Sequence, residues 1–346
     1  MAKKQKIEAV DLFCGAGGLT HGLWQAGIAV KAGFDLDPAC KYAYEANNDS
    51  VFVEADVGTV TAAEINKYFS KNSIRLLAGC APCQPFSTLA NGKGVQDDGK
   101  WGLLEQFARL VDEVRPDLIT MENVPRVTNH PPYKKFIETL VSLGYHVDAH
   151  RVKCADYGIP QVRRRFVLVA SAFGPIKLPE KAGKQLTVRD AIGHLQPLGA
   201  GQTSKADPLH KARSLTATNL ERIKASKPGG TWMDWPEELR APCHQAKTGA
   251  SFQSVYARME WDKPSPTITT QSFNFGTGRF GHPSQNRAIT LREAAILQSF
   301  PADYIFVDED EVPSFSTVGR LIGNAVPPRL GEVVGNVFVE HLKSFQ

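Results

Sequence analysis

Four short strings hold residue types that could do chemistry. Asp11-Leu-Phe-Cys-Gly-Ala-Gly-Gly18 lies between an apolar run and a helical pattern. Gly15, Gly17 and Gly18 there allow a ligand to approach the backbone at a helix N-terminus. Asp35 follows Gly15 by 20 residues, at the end of the next apolar run, where a carboxylate can take ribose hydroxyls. With strand, helix and later acid in register the pattern points to a nucleoside-containing cofactor, and it is not a phosphate loop, since no Gly-Lys-Ser/Thr follows the turn. Gly79-Cys-Ala-Pro-Cys-Gln-Pro-Phe-Ser87 contains Cys80 and Cys83. Three readings are open: a redox couple, half of a zinc site, or one nucleophilic cysteine on a loop. The first does not call for the Gln-Pro-Phe-Ser extension, and the second lacks another Cys pair. In the third, Thr88–Lys100, with three glycines, Asn91 and two lysines, would be a mobile lid. Glu122, in Met121-Glu-Asn-Val-Pro125, falls past a strand end on the rim expected for Cys83. It is either a solvated carboxylate or an acid. Gln161-Val-Arg-Arg-Arg165 precedes a strand, which sends Arg163 and Arg165 to one face and Arg164 to the other. The bland alternative is a basic edge strand.

The elements that must position these residues are legible as an alternating α/β pattern. Ile7–Phe13, Ile28–Phe34, Val51–Glu54, Arg75–Ala78 and Asp117–Met121 read as strands. His146–Val152 and Phe166–Ala170 read as an antiparallel pair at a sheet edge. Helices are expected after the Gly-rich turn as far as Gly27, from about Asp37 to Asn47, and through the apolar stripe Leu103 to Val114. From about Phe173 to Ser272 the chain is rich in Pro, Gly, Lys, Ser and Thr, the composition of a small irregular domain. Trp232, Trp235, Phe252, Tyr256 and Trp261 could build its core. Helical pattern returns at Leu291–Phe300 and in the stripe Leu330 to Leu342.

The chain has 346 residues, 42% of them hydrophobic and 22% charged, which excludes disorder for most of its length. No apolar run approaches a bilayer span, and Met1 to Lys6 lead into a strand without a signal-peptide core. Six scattered cysteines exclude a disulfide scaffold. A soluble, cytoplasmic, reduced protein is expected. The net charge of +4 is unevenly spread. Residues 151–290 carry 21 Lys/Arg against 10 Asp/Glu, whereas 1–150 carry 15 against 18 and 291–346 carry 4 against 8. A basic middle suggests a polyanionic partner held by one region, or else a Lys-rich solvated surface.

Taken in order, these strings resemble the DNA cytosine-C5 methyltransferase family of bacterial and phage type. The resemblance runs through Asp11–Gly18, Asp35, Asp56, Pro82-Cys83-Gln84, Glu122-Asn123-Val124, Gln161-x-Arg163-x-Arg165, Arg292-Glu293 with Leu297-Gln298-x-Phe300-Pro301, and Gly323-Asn324-Ala325-Val326. It implies a Rossmann-like S-adenosylmethionine-dependent fold with a mixed, mostly parallel sheet. Residues 1–172 plus 273–346 would form the catalytic domain and 173–272 the target-recognition domain.

The resemblance also implies roles. Cys83 would be the nucleophile toward C6 of a flipped-out cytosine and Glu122 the acid at N3. Arg165 would hold the base through O2, and Arg163 would support the thiolate, Glu122 or a phosphate. Phe13, Gly15, Gly17, Gly18, Asp35, Leu36, Asp56, Val57, Pro82, Asn324 and Ala325 would bind S-adenosyl-L-methionine. Gln84, Ser87, Gln161, Arg163, Arg165, Gln271 and Arg279 would touch nucleic acid, with Trp232, Thr248, Gln253, Thr270 and Asn274 as further candidate contacts. No metal is implied. Double-stranded DNA is the expected partner of a monomer, alongside a restriction nuclease or phage-defence system. Cys14, Cys80, Asp35 and Ala325 depart from residues frequent in the family; both cysteines read as tolerated, and Cys80→Ser is expected to be nearly neutral. A tRNA cytosine methyltransferase is the nearest rival, but its Cys-Phe-Thr string is missing. A binding-only relative conflicts with the presence of Cys83, and a thiol oxidoreductase would need Cys80 as well as Cys83.

Overall fold

The computed structural model describes residues 6–82, 98–245 and 253–345. The chain divides into two compact units. The first comprises Met1–Tyr157, Arg164–Gly183 and Ala325–Gln346, and the second Gly158–Arg163 and Lys184–Asn324.

The first unit is built on a seven-stranded sheet: β1 Ile7–Leu12, β2 Ala29–Asp35, β3 Val51–Glu54, β4 Ile74–Gly79, β5 Leu118–Asn123, β6 His146–Lys153 and β7 Arg164–Ser171. Their order is β3-β2-β1-β4-β5-β7-β6. The first five pair in parallel, and β7 is antiparallel to both β5 and β6. The expected antiparallel pair therefore closes one edge of a mostly parallel sheet. Every residue of β1 and β5 is buried, as continuous apolar strands covered on both faces must be.

Five helices follow in the first part of this unit: α1 Gly18–Gln25, α2 Lys41–Asn47, α3 Ala62–Asn66, α4 Asp98–Val114 and α5 Pro131–Ser142. Adjacent residues of β1 show which face each helix covers. Leu12 joins the apolar cluster with Phe107 of α4 and Phe136 of α5, whose rings lie 5.3 Å apart. Its neighbour Asp11 faces the other way and accepts from Thr20 of α1.

Helix α1 is held to the terminal helix, Pro328–Lys343, by close backbone approach. A Cβ on Gly22 would collide with the Pro328 carbonyl, and one on Gly335 would lie 2.5 Å from the Ala26 methyl. This contact sets the segment beginning at Ala325 against the start of α1, where Val326 O occupies the place of a Gly18 side chain.

Among its described residues the second unit has short helices and isolated bridges in place of a sheet. Trp232, Trp235, Phe275 and Ile223 form its aromatic cluster, with Tyr256 packed against it. Trp261 lies apart, edge-on to His282 and beneath Arg189. Phe252 lies outside the described residues. The buried guanidinium of Arg258 ties this unit together by donating to the carbonyls of Ile223, Ser226, His282 and Gln285. Arg287 and Glu293 form a buried two-pronged ion pair at 2.7 Å. The unit extends past 272 to Asn324, because the 273–324 segment packs within it: Phe273 fills the space above Gly319, and Gly323 abuts the Thr269–Thr270 backbone.

Candidate active site

The C-terminal ends of β1, β2, β4 and β5 bring the key residues of the first unit to one rim, the usual ligand side of an open parallel sheet. The chain leaves β1 through a left-handed bend: φ is 58° at Phe13, 53° at Gly15 and 86° at Gly17, the residue that caps α1. Gly15 N donates to Asp35 Oδ2 at 2.8 Å and Asp37 N donates to Oδ1 at 3.0 Å. Two amides thus fix the Asp35 carboxylate over the glycine turn. Burial nevertheless raises its pKa, more than the amide hydrogen bonds lower it. Nothing within 4 Å would meet a Cβ on Gly15, so there is open space in front of the turn. Leu36, next to Asp35, is 65% exposed. Asp56 follows β3, exposed, with Oδ1 accepting from Gly58 N at 2.8 Å. A glycine cradle, an anchored carboxylate, a second exposed carboxylate and an uncovered leucine suit a nucleoside with an aliphatic extension.

Other members of the expected cofactor set have different surroundings. Phe13 is half-buried and packs against the core. The Val57 side chain is a core residue, 2% exposed, leaving only its backbone for the pocket. Ala325 is buried against Gly18, Pro82 is exposed at the last residue before the undescribed segment, and Asn324 is exposed at the end of the second unit.

Beside the cradle is a small polar cluster. Glu122, the fifth residue of β5, is 6% exposed, and its Oε1 lies 2.7 Å from Arg165 Nε. Its Oε2 accepts from Cys80 Sγ at 3.1 Å. Cys80 is anchored by its amide, which donates to Leu12 O and so extends the β1–β4 pairing by one step. The next residue of β5, Asn123, is buried and donates from Nδ2 to Ala81 O at 3.1 Å. The rim thus holds a carboxyl, a guanidinium and the start of the loop toward Cys83. Cys83, Gln84, Ser87 and Thr248 lie outside the described residues, as do residues 88–97 of the expected lid. Asp98–Lys100, its last three residues, are the first turn of α4.

Gln161 and Arg163 have structural surroundings within the second unit. Gln161 is fully buried, donating to Leu297 O and Gln298 Oε1 and accepting from Ile268 N. Arg163 is 3% exposed and donates to Ile268 O and Gly323 O. Both are bound to their own fold. The expected alternation holds in exposure, with Arg164 out and Arg163 and Arg165 in. Gln271 is exposed and accepts from Asn274, and Gln253 is exposed; Arg279 donates to Gly230 O and Arg258 O. Trp232 is core, stacked on His244 at 4.4 Å.

The residues that the motifs left without a role are Cys80, Asn123, Thr20 and Tyr44. Thr20 Oγ1 donates to Asp11 Oδ2 at 2.8 Å, and Tyr44 Oη is 2.7 Å from Ser50 Oγ. Tyr44 fills the space that a side chain on Gly33 would need. Asp11 is wholly buried, its Oδ1 makes no hydrogen bond, and burial raises its pKa to about 7. Cys80 and Asn123 lie in strings the sequence singles out, whereas nothing in the sequence marks Thr20 or Tyr44.

Comparison with known proteins agrees with this geometry. The family model of the C-5 cytosine-specific DNA methylases matches residues 7–340. The type II methylase M.HgiDII of Herpetosiphon aurantiacus is 51% identical over 331 residues, 94% of this chain and 93% of that protein. The type II methyltransferase M1.HphI of Haemophilus parahaemolyticus is 32% identical over 96% of this chain and 86% of its own. The crystal structure of a candidate DNA modification methyltransferase encoded within an Escherichia coli prophage superposes with a TM-score of 0.74 at 24% identity. It covers 98% of this chain and 100% of that one. With nearly its whole length matched, the chain belongs to the C-5 cytosine-specific DNA methylase family and is a DNA cytosine-C5 methyltransferase.

Proposed function

We propose that the protein methylates one cytosine within a short duplex DNA site through a covalent adduct on Cys83, as the modification enzyme of a type II restriction system. Family membership implies an S-adenosylmethionine-dependent reaction on DNA. The observation that carries the residue assignment is the buried Glu122–Arg165 pair, 2.7 Å apart on the rim that also holds the glycine cradle and Asp35.

Cytosine C5 is a weak nucleophile until electrons are pushed into the ring. The Cys83 thiolate adds to C6, and the charge that develops toward N3 is neutralised by a proton from Glu122. Arg165 reaches the base at O2 and holds the Glu122 carboxylate once its proton has left. When bound, S-adenosylmethionine would supply the electrophilic methyl group for C5. Asp35 would hold its ribose hydroxyls, Asp56 would accept from its adenine amine, and Phe13 and Leu36 would provide apolar walls. Gly15, Gly17 and Gly18 leave room for the methionine portion. A base then takes the C5 proton, Cys83 leaves, and the N3 proton returns to Glu122. The target base must leave the duplex to reach this rim, at a cost of a few kcal/mol.

The 173–272 region reads the site, its surplus of Lys and Arg holding phosphates while a few polar side chains read base edges. Gln161 and Arg163 would support that surface from beneath, given their burial. A monomer suffices, because one active site and one recognition region serve one cytosine.

Bisulfite sequencing of DNA from cells expressing the protein or Cys83→Ser tests this reading. Protected cytosines at one recurring short sequence, lost in the variant, are the expected result. Unprotected DNA from a folded, abundant protein would overturn it and turn attention to RNA.

A further inference from the structure

The structure assigns Cys80 a positioning role: its thiol holds the Glu122 carboxyl so that Oε2 is the oxygen that delivers the proton. This rests on the reading above in which Glu122 is the acid at N3.

The two oxygens of Glu122 have unlike partners. Arg165 Nε, a permanent cation, sits 2.7 Å from Oε1, so a proton on that oxygen would face a like charge. Cys80 Sγ donates to Oε2 across 3.1 Å, and a thiol is a weak donor. Of the two oxygens, Oε2 is therefore the one placed to deliver a proton. The Cys80 hydrogen on one lone-pair direction of Oε2 opposes rotation of the carboxyl, which would turn Oε2 toward the guanidinium. Cys80 is itself fixed, because its amide donates to Leu12 O and the carbonyl of the next residue, Ala81, is held by Asn123. When the proton passes from Oε2 to N3, the carboxylate left behind keeps the Arg165 cation beside Oε1 and the Cys80 donor on Oε2, and on collapse of the adduct the proton returns by the same route. A hydroxyl here would donate more strongly and favour the ionised acid; an alkyl group would leave a buried oxygen without a donor. A thiol lies between those limits. Cys80 does not touch the base in this scheme and acts only through Glu122.

Steady-state methylation of duplex DNA across pH by wild type, Cys80→Ala and Cys80→Ser tests the assignment, beside the infrared S–H stretch of each protein and of Glu122→Gln. Cys80→Ala is expected to lower kcat about five-fold, the loss of one modest hydrogen bond, with KM for DNA unchanged. Its alkaline limb in kcat should move to higher pH. Cys80→Ser should restore kcat on the acid side and move the limb to lower pH. Limbs that superimpose in all three proteins would overturn the assignment, since a purely structural residue changes yield or Tm without moving a titration. The infrared measurement separates failure of this inference from failure of the acid role. An S–H band absent in Cys80→Ser and shifted in Glu122→Gln establishes the thiol–carboxyl contact independently of turnover. A band indifferent to Glu122→Gln overturns it. An alkaline limb that survives in Glu122→Gln counts against Glu122 as the acid and leaves the contact to the infrared result.

Discussion

Arg165 illustrates how one residue serves two charges. Its Nε lies 2.7 Å from Glu122 Oε1 and its Nη1 donates to Arg164 O, so in the proposed reaction Nη2 is the nitrogen that meets the base. Replacing it with Ala leaves a 6%-exposed carboxylate without its cation. General acid catalysis contributes about a hundred-fold or more, so kcat for Arg165→Ala should fall at least that far, with Lys recovering only part of it. A change of only a few fold in single-turnover methylation would contradict the pairing. Asp11 gives a second prediction at this scale. Its carboxyl binds a proton more tightly folded than unfolded, since burial takes its pKa from 3.8 to about 7. The folded state therefore holds more protons between those values, and stability falls as pH rises through that window. The loss is at most about 4 kcal/mol. Asp11→Asn keeps an acceptor for Thr20 and cannot ionise. It should raise Tm relative to wild type at pH 8 and not at pH 4, as differential scanning calorimetry would show. Equal offsets at both values would mean that Asp11 is held ionised.

At the scale of elements, the decisive contact is between α1 and the terminal helix. Gly18 and Gly22 on one, and Gly331 and Gly335 on the other, let two backbones meet where any side chain would intrude. Gly22→Ala would drive a methyl into Pro328 O, so one helix must move. We expect a loss of about 1–3 kcal/mol or more in urea denaturation, with impaired cofactor binding because α1 carries the glycine turn at its head. Gly102 is the control: a Cβ there meets nothing within 4 Å, and Ala is the better helix former. Gly102→Ala should be neutral or slightly stabilising. Equal behaviour of the two variants would show that the glycine contact does not constrain the helices.

For the whole molecule, charge is the property to test. Residues 151–290 hold an excess of 11 positive charges, and much of the buried part of that excess is already bound to backbone carbonyls, as at Arg258 and Arg163. The exposed remainder is what phosphates can use. Affinity for duplex DNA should fall about a hundred-fold or more between roughly 50 and 200 mM salt, read by fluorescence anisotropy. A shallow dependence would mean that few phosphates are engaged and that base contacts dominate.

Most of the first unit is legible in the amino-acid order. Its strands are short apolar runs bounded by Gly, Pro and Asp, and such runs are local signals; each expected strand forms, the first five pairing in parallel and the last two antiparallel at one edge. The motif residues Asp35, Glu122 and Arg165 were legible for the same reason, because each lies at a fixed distance from a strand end. Only the tertiary structure decided which of them touch. Glu122 and Cys80 are 42 residues apart, and a hydrogen bond between neighbouring strand ends leaves no periodicity for a sequence to display. Cys80, expected to be a tolerated substitution, acquires a partner in this way. Gln161 and Arg163 show the converse. The resemblance implies contact with nucleic acid for both, whereas the hydrogen bonds they make in the structure run to 268, 297, 298 and 323 of the protein itself. A polar side chain looks the same in sequence whether its hydrogen bonds are spent inside the fold or kept for a ligand, and burial, a property of the folded whole, decides between them.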